Sequence, residues 1–131
     1  PNGGPLKTML PAFKMALGGP IGHGRQYMSW VSLQDYCRLI QFAIEHEHLS
    51  GVINACNNSA LTNKEFSKTL AKALNRPCFL PAPAFALKLV LGQFAKETVL
   101  WSTRAKSAKL ERCGFEFKDL VLAKTFEGFF Q

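Results

Sequence analysis

The residues best placed to do chemistry form one stretch from Gly18 to Asp35, reading Gly-Gly-Pro-Ile-Gly-His-Gly-Arg-Gln-Tyr-Met-Ser-Trp-Val-Ser-Leu-Gln-Asp. Glycines allow a backbone to approach a ligand closely. A single arginine on such a loop, Arg25, suits bidentate contact with a phosphate or a carboxylate. Gln26 to Val31 is rich in aromatic and branched side chains and reads as a strand that offers a stacking face beside Arg25. Ser32 and Asp35 then form a helix start: the Ser32 hydroxyl accepts from the Asp35 amide, and the carboxylate faces the positive helix end. The unit reads as half of a binding site, and the plainer alternative for Arg25 is a solvated surface arginine.

Other chemistry is excluded by spacing. Gly22-His23-Gly24 gives G-x-G without a third glycine or a feeding strand, and no Gly-Lys-Ser or Gly-Lys-Thr occurs, so a dinucleotide site within this chain is not expected. A tyrosine activated by a lysine four residues on is also missing. Tyr27 is followed at that distance by Val31 and Tyr36 by Ile40, so no catalytic residue is assigned. His46-Glu47-His48 places two histidines on different sides near a helix end with no further ligands close by, and no metal site is assigned. His23 is either a proton donor to a ligand or simply solvated. Cys37, Cys56, Cys78 and Cys113 form no C-x-x-C pair, and three of them sit inside apolar patterns. They read as free thiols in a reducing compartment rather than as disulfides or nucleophiles.

Two weaker candidates remain. Arg104, Lys106, Lys109 and Arg112, with Trp101 ahead of them, are the densest basic patch and could meet phosphates; a solvated helix face is the plainer reading, because Arg104 precedes the row made by the other three. Asn57-Asn58-Ser59 follows the run Val52–Cys56, where ligands of open α/β sheets bind, with an ordinary turn as the alternative. The candidate substrate-contacting residues are therefore Arg25, its neighbour Gln26, Asn57 and Arg104.

The elements that must position them follow from periodicity. Leu6, Met9, Leu10, Phe13 and Leu17 predict a helix from about Gly4 to Met15, with Pro11 as a kink or early stop. Tyr36, Leu39, Ile40, Ala43 and Ile44 are the expected buried stripe of the helix begun at Ser32. Val52-Ile53-Asn54-Ala55-Cys56 is the pattern of a strand covered on both faces, which wants parallel neighbours. Thr62 and Glu65 form a capping box and Leu61 with Phe66 a hydrophobic staple, predicting a helix through Leu74 that stops at Asn75-Arg76-Pro77. A short extended piece at Phe79-Leu80, a helix from Pro83 to about Leu91, a helix from Ala105 to Arg112 closed by Gly114, a strand-like alternation of Phe115 and Phe117, and a helical stripe from Asp119 to Phe129 complete the reading.

The chain has 131 residues, 47% of them apolar, enough for one ordinary core. Its formal charge of +7, spread from Lys7 to Lys124, favours anionic partners without concentrating on one. The longest apolar stretch, Phe79 to Ala95, is broken by Pro81, Pro83 and Lys88, and no charged-then-apolar leader opens the sequence, so a cytoplasmic protein without membrane attachment is expected. The opening Pro1-Asn2-Gly3-Gly4 lacks a methionine and points to a fragment. The expected class is α/β: a helix-rich lobe whose few short strands cannot close a sheet among themselves.

These residues carry a resemblance. Gly18 to Asp35, Ser50-Gly51-Val52-Ile53-Asn54-Ala55, Leu61 to Phe66, Arg76-Pro77, Leu80 to Leu87 and Leu110 to Phe117 resemble the C-terminal half of the extended short-chain dehydrogenase/reductases, and within them a branch of nucleotide-sugar epimerase-like proteins ending in a small domain of unknown function. The resemblance implies that residues 1–60 are the last part of the epimerase fold, including the last strand of a Rossmann-type parallel sheet, and that residues 61–131 are the small C-terminal helical domain. It implies that the cofactor half with its Tyr/Lys pair is missing, so that this chain alone binds no cofactor and does not catalyse. The parent protein is expected to use NAD or NADP to move a hydride at a substrate carbon. Arg25 takes the position that holds a substrate diphosphate in nucleotide-sugar members, with Arg104 as a second anchor. The implied partners are the missing N-terminal half and an anionic, nucleotide-sugar-like substrate. Two other classes stay open: a basic phosphate- or nucleic-acid-binding module, with nucleic acid the less favoured ligand, and an interaction protein that covers its open edge with a partner or as a homodimer. Some members bear a cell-division-inhibitor label, for which these residues offer no physical support.

Overall fold

A computed structural model describes residues 4–78 and 102–130. Their order is α1 (Gly4–Lys14), β1 (Tyr27–Met28), α2 (Leu33–Glu45), β2 (Leu61–Thr62), α3 (Asn63–Ala73), α4 (Ala108–Arg112) and α5 (Leu122–Phe130). The expected extended piece at Phe79-Leu80, the helix from Pro83 to Leu91 and Trp101 lie outside the described residues.

Local chemistry explains where the helices begin and end. Ser32 caps α2 by accepting from the Asp35 amide at 3.0 Å. The capping box at α3 is complete, with Thr62 and Glu65 each accepting from the other's backbone N–H. Three helices close by the same device, in which a residue in the left-handed region turns the chain while two amides return to the last carbonyls. At α1 the turning residue is Ala16 (φ 60°), with Leu17 N–H donating to Ala12 O and Ala16 N–H to Phe13 O. At α3 it is Asn75 and at α4 Gly114, with the equivalent bonds from Arg76 to Ala71 and from Phe115 to Leu110. Pro11 is accommodated inside α1, which ends one residue earlier than expected.

Two apolar clusters result. Leu10 and Phe13 of α1, Leu70 and Ala71 of α3, and Leu122 and Phe126 of α5 form the larger one, with Trp30, Leu61 and Phe66 against it. Leu39 of α2, Leu110 of α4 and Phe115 form the smaller, with Phe42, Ile53 and Phe117 at its margin. The clusters are joined by buried polar hubs. The Asp35 carboxylate accepts from the amides of Lys118 and Asp119 at 2.8 to 3.1 Å and from the Arg38 guanidinium at 2.6 Å. Of the cysteines, all free, Cys56 is buried, Cys78 and Cys113 are half-buried and Cys37 is exposed.

Several expectations are corrected. The strand read over Gln26–Val31 narrows to Tyr27–Met28, which pairs antiparallel with Leu61–Thr62 (Tyr27 opposite Thr62, Met28 opposite Leu61). Val52–Cys56 takes no strand pairing among the described residues, and Val52 is 90% exposed. The physical reason is that a parallel strand needs a neighbour reached by a crossover, and none of the described segments lies in that position. The stripe assigned to the inside of α2 is divided: Leu39 is buried, but Tyr36, Ile40 and Ile44 face solvent. Among the described residues the Leu39 side of α2 packs against the Leu110–Phe115 cluster. The helix expected from Ala105 begins at Ala108 because residues 102–107 run extended beside β1, and the last helix begins at Leu122 because Lys118 and Asp119 are held by Asp35. Phe115 and Phe117 both turn inward without joining a strand. The architecture is helix-rich α/β with one two-stranded antiparallel sheet among the described residues.

Candidate functional site

The glycine-rich loop is a built structure. Ile21 N–H donates to Asn63 Oδ1 at 2.7 Å, and Asn63, fully buried, uses its amide nitrogen on Met28 Sδ. Gln26 is buried as well, and its side-chain amide donates to Ile21 O at 3.0 Å, so it closes the loop on itself. Two glycines are sterically required. A Cβ on Gly18 would lie 2.3 to 2.6 Å from the Phe13 ring, and Gly24 combines a φ of +65° with Pro20 and Lys64 Cβ atoms 3.0 and 3.2 Å from where its own Cβ would be. The loop carries Arg25 at its exposed end, with the Arg25 amide donating to His23 Nδ1 at 3.0 Å.

Along the chain from Arg25 to Trp30 the odd-numbered residues and the even-numbered ones part company. Gln26, Met28 and Trp30 turn toward Asn63 and the large cluster, while Arg25 is exposed and Tyr27 carries the Arg104 guanidinium 4.9 Å from its ring centroid. A stacked pair of this kind is worth about 0.5–1 kcal/mol at an exposed site, and it holds an otherwise mobile cation in a fixed place. The backbone supports it: Thr103 N–H donates to Tyr27 O at 2.9 Å, Tyr27 N–H to Ser102 Oγ at 3.0 Å, and Ser29 Oγ links Thr103 O and the Ala105 amide. Lys64, exposed, begins α3 next to Gly24, its amide donating to Gly24 O at 2.9 Å. Arg25 just before β1, Lys64 just after β2 and Arg104 on Tyr27 are three exposed basic residues in the neighbourhood of the small sheet.

The start of α3 is not an anion cradle. Its first amides donate to Gln26 O, Gly24 O and Thr62 Oγ1, which leaves them no capacity for a phosphate. Any anion held here is held by side chains. With these amides engaged, the G-x-G turn and the start of α3 do not form the pyrophosphate cradle of a dinucleotide fingerprint.

Asn57 is placed differently from Arg25 and Arg104. It is fully buried, and its side chain donates to Asp119 O at 3.1 Å and accepts from Ser59 N–H at 3.0 Å, while its own amide reaches Trp30 O. Like Gln26, it fixes the chain around the site. The remaining basic residues disperse: Lys109 Nζ donates to Ser50 O, and Arg104 and Lys106 lie on the extended segment ahead of α4 rather than on one helix with Arg112. His46 stacks on Phe42 at 3.8 Å between ring centroids, and its Nδ1 lies 2.8 Å from Phe42 O. Burial pushes the Cys56 thiol up, and burial likewise raises Cys78 against a smaller opposing pull from Lys68. Neither has the character of a nucleophile.

Asp35, Asn57 and Asn63 organise the site by accepting or donating across 42 to 84 residues of chain. The sequence marked Asp35 as a helix-start residue and Asn57 as a ligand contact, and it gave no sign of Asn63 or of the long-range bonds that make all three hubs.

On the other side of β1 lies an apolar groove of 580 Å³ lined by Met28, Trp30, Leu33, Tyr36, Phe66 and Phe126 among others. Among the described residues no helix is long and apolar enough to cross a membrane.

In sequence and in fold the chain is homologous to part of several epimerase family proteins. The chain is 49% identical over 114 residues to an epimerase family protein of Mycobacterium leprae, covering 87% of this chain and 37% of that protein. With a Mycobacterium tuberculosis epimerase family protein it shares 45% identity over 117 residues, 89% of this chain and 39% of that protein. It thus spans between a third and two fifths of the length of these relatives. The crystal structure of the human epimerase family protein SDR39U1 with NADPH superimposes with a TM-score of 0.88 at 30% identity, over 97% of this chain and 43% of that one. A nucleoside-diphosphate sugar epimerase from Corynebacterium glutamicum gives a TM-score of 0.62 at 25% identity, over 89% and 22%. Residues 82–127 match the model of a domain of unknown function, DUF1731.

Proposed function

We propose that this chain is the substrate-holding lobe of an NAD(P)-dependent epimerase or reductase, that it grips the anionic end of a nucleotide-sugar-like substrate with Arg25 and Arg104, and that it does not catalyse alone. The observation that carries the reading is the loop from Gly18 to Gln26. Its interior is fixed by Asn63, Gln26 and the Phe13–Gly18 contact, yet its one cation, Arg25, is exposed beside a second cation held on Tyr27. Two exposed guanidiniums, one two residues before Tyr27 and one over its ring, suit a diphosphate, each offering paired N–H donors to its oxygens. Gln26 and Asn57 act by holding the backbone that carries them. The dinucleotide belongs to the part of the fold that this chain does not span, which agrees with the misfit of the loop to a pyrophosphate and with NADPH in the human relative. Val52–Cys56, apolar and unpaired, is suited to complete that part's parallel sheet, in keeping with an α/β fold begun before it.

The test is kinetic and uses the chain joined to the nucleotide-binding part, as in the full-length relatives. With a nucleoside-diphosphate sugar as substrate, Arg25→Ala raises KM about tenfold or more, as expected for the loss of a charge-assisted pair of about 1.5–3 kcal/mol. Arg104→Ala has the same direction and a smaller size. An unchanged KM in Arg25→Ala removes the arginine from the site.

A further inference from the structure

Two of the chain's three histidines are spent on ring contacts: His46 stacks on Phe42, and His48 meets His46 edge to face. The His46 Nδ1 lies 2.8 Å from Phe42 O, and a carbonyl only accepts, so that ring carries a proton on Nδ1. His23 is the reverse case. It stands exposed in the glycine-rich loop, and the Arg25 backbone N–H donates to its Nδ1 at 3.0 Å. A backbone amide can only donate, so Nδ1 bears no proton and the ring's N–H is on Nε2. The same bond ties the ring to the backbone that bears Arg25. The turn beneath it is also held, because Gly24 N–H donates to Ile21 O at 3.0 Å and Ile21 N–H donates to the buried Asn63. The neighbours of His23 in sequence are glycines, which put no side chain against the ring.

Resting on the proposed function, we propose that His23 is a further substrate-contacting residue, donating its Nε2–H to a phosphate oxygen of the same diphosphate end that Arg25 grips. Phosphate oxygens only accept, so a site for them must be built from donors, and backbone amides are already engaged here: those that begin α3 bond to Gln26 O, Gly24 O and Thr62 Oγ1, and that of Arg25 bonds to His23 itself. Side chains must supply the donors. A fixed Nε2–H two residues from a guanidinium is one, and its direction is set by the bond at Nδ1. Carboxylates that would compete for it are absent or occupied. Gly18 to Gln34 contains no Asp or Glu, Asp35 is buried on Arg38, Lys118 and Asp119, and Glu65 is taken up by Thr62. Arg25 and Arg104 contribute charge, and His23 contributes a directional bond.

The test measures binding of uridine diphosphate to the chain joined to the nucleotide-binding part of the Mycobacterium leprae relative, with NADPH in excess so that the dinucleotide site is filled. His23→Asn is the informative variant. Its side-chain oxygen replaces Nδ1 as the acceptor for the Arg25 amide, but it has no donor at the place of Nε2. It should weaken binding about fivefold or more, as the loss of one hydrogen bond implies, and His23→Ala should weaken it at least as much. In nitrogen–proton spectra of the histidine-labelled wild type, His23 should show a bare Nδ1 and a protonated Nε2, and the ligand should shift the Nε2 signal while leaving Nδ1 nearly in place. If His23→Asn binds like wild type while Arg25→Ala is weakened, the proposed function stands, His23 serves the turn alone and the inference is overturned. A proton found on Nδ1, or an Nε2 signal that the ligand does not move, overturns it as well. If the wild type does not bind the diphosphate, or Arg25→Ala binds it unchanged, the proposed function fails and the inference with it.

Discussion

The region built from α1, α3 and α5 and the region built from α2 and α4 solve the same problem with different completeness. In the first, three helices each turn one apolar stripe toward a common centre, and Leu70 and Ala71 are sealed from water. In the second, α2 is met on one side by Leu110 and Phe115 and is open on the other, and the neighbouring Val52 stands almost fully in solvent. The difference is that the helices of the first cover one another, whereas among the described residues one side of the second stays uncovered. Stability of the chain should therefore reside in the first region, and the capacity to join a larger fold in the second.

The comparison is broken most directly by a pair of truncations. Leu70→Ala removes a fully buried side chain from the closed region and is expected to cost about 2–5 kcal/mol in urea unfolding of the chain. Ile44→Ala in the open region should stay within about 0.5 kcal/mol. Equal losses at the two positions would show that the open face is covered in solution. The cap that begins α3 comes next in size. Thr62→Ala should cost about 1 kcal/mol near neutral pH. Because the Thr62 backbone N–H, and then its hydroxyl, hold the Glu65 carboxyl below its ordinary range, that stabilisation is complete above the ordinary carboxylate range and is lost as the pH falls through the lowered value. Thr62→Ala keeps the Thr62 backbone N–H and loses only the hydroxyl's share, so its deficit should narrow slightly in acid; Glu65→Gln, which cannot titrate, should lose less stability than wild type between neutral and acid pH, and an equally steep loss would contradict the box. The smallest effect is a gain: Ala16→Gly relieves a left-handed alanine where Asn75 and Gly114 serve the equivalent turns, and should raise stability by about 0.5–1 kcal/mol. A loss there would mean that the methyl group packs against something that offsets its strain.

How much of this was legible in the sequence depends on whether a feature is local. Caps, stops and the glycine-rich turn were readable because they are settled within a few residues: Ser32 with Asp35, Thr62 with Glu65, Asn75 before Pro77. Arg25 and Arg104 were legible as candidates from their neighbours, but that both flank Tyr27 depends on pairing across about 75 residues, which no window along the chain contains. The burial of Gln26 and Asn57 was hidden for the same reason, since their partners lie on other segments. The inner stripe of α2, which the structure divides, and the strand pattern at Val52–Cys56, which finds no partner among the described residues, share one feature. Both patterns describe burial on two sides, and the described residues cover one of them.

The central claim is that this chain completes a nucleotide-binding partner rather than working alone. The direct measurement is sedimentation of the chain with the separately produced nucleotide-binding part of a full-length relative, in the presence of NADPH. The account predicts a single species of one-to-one stoichiometry, with the free chain depleted. Two boundaries sedimenting independently at concentrations well above those of a stable domain pair would contradict it.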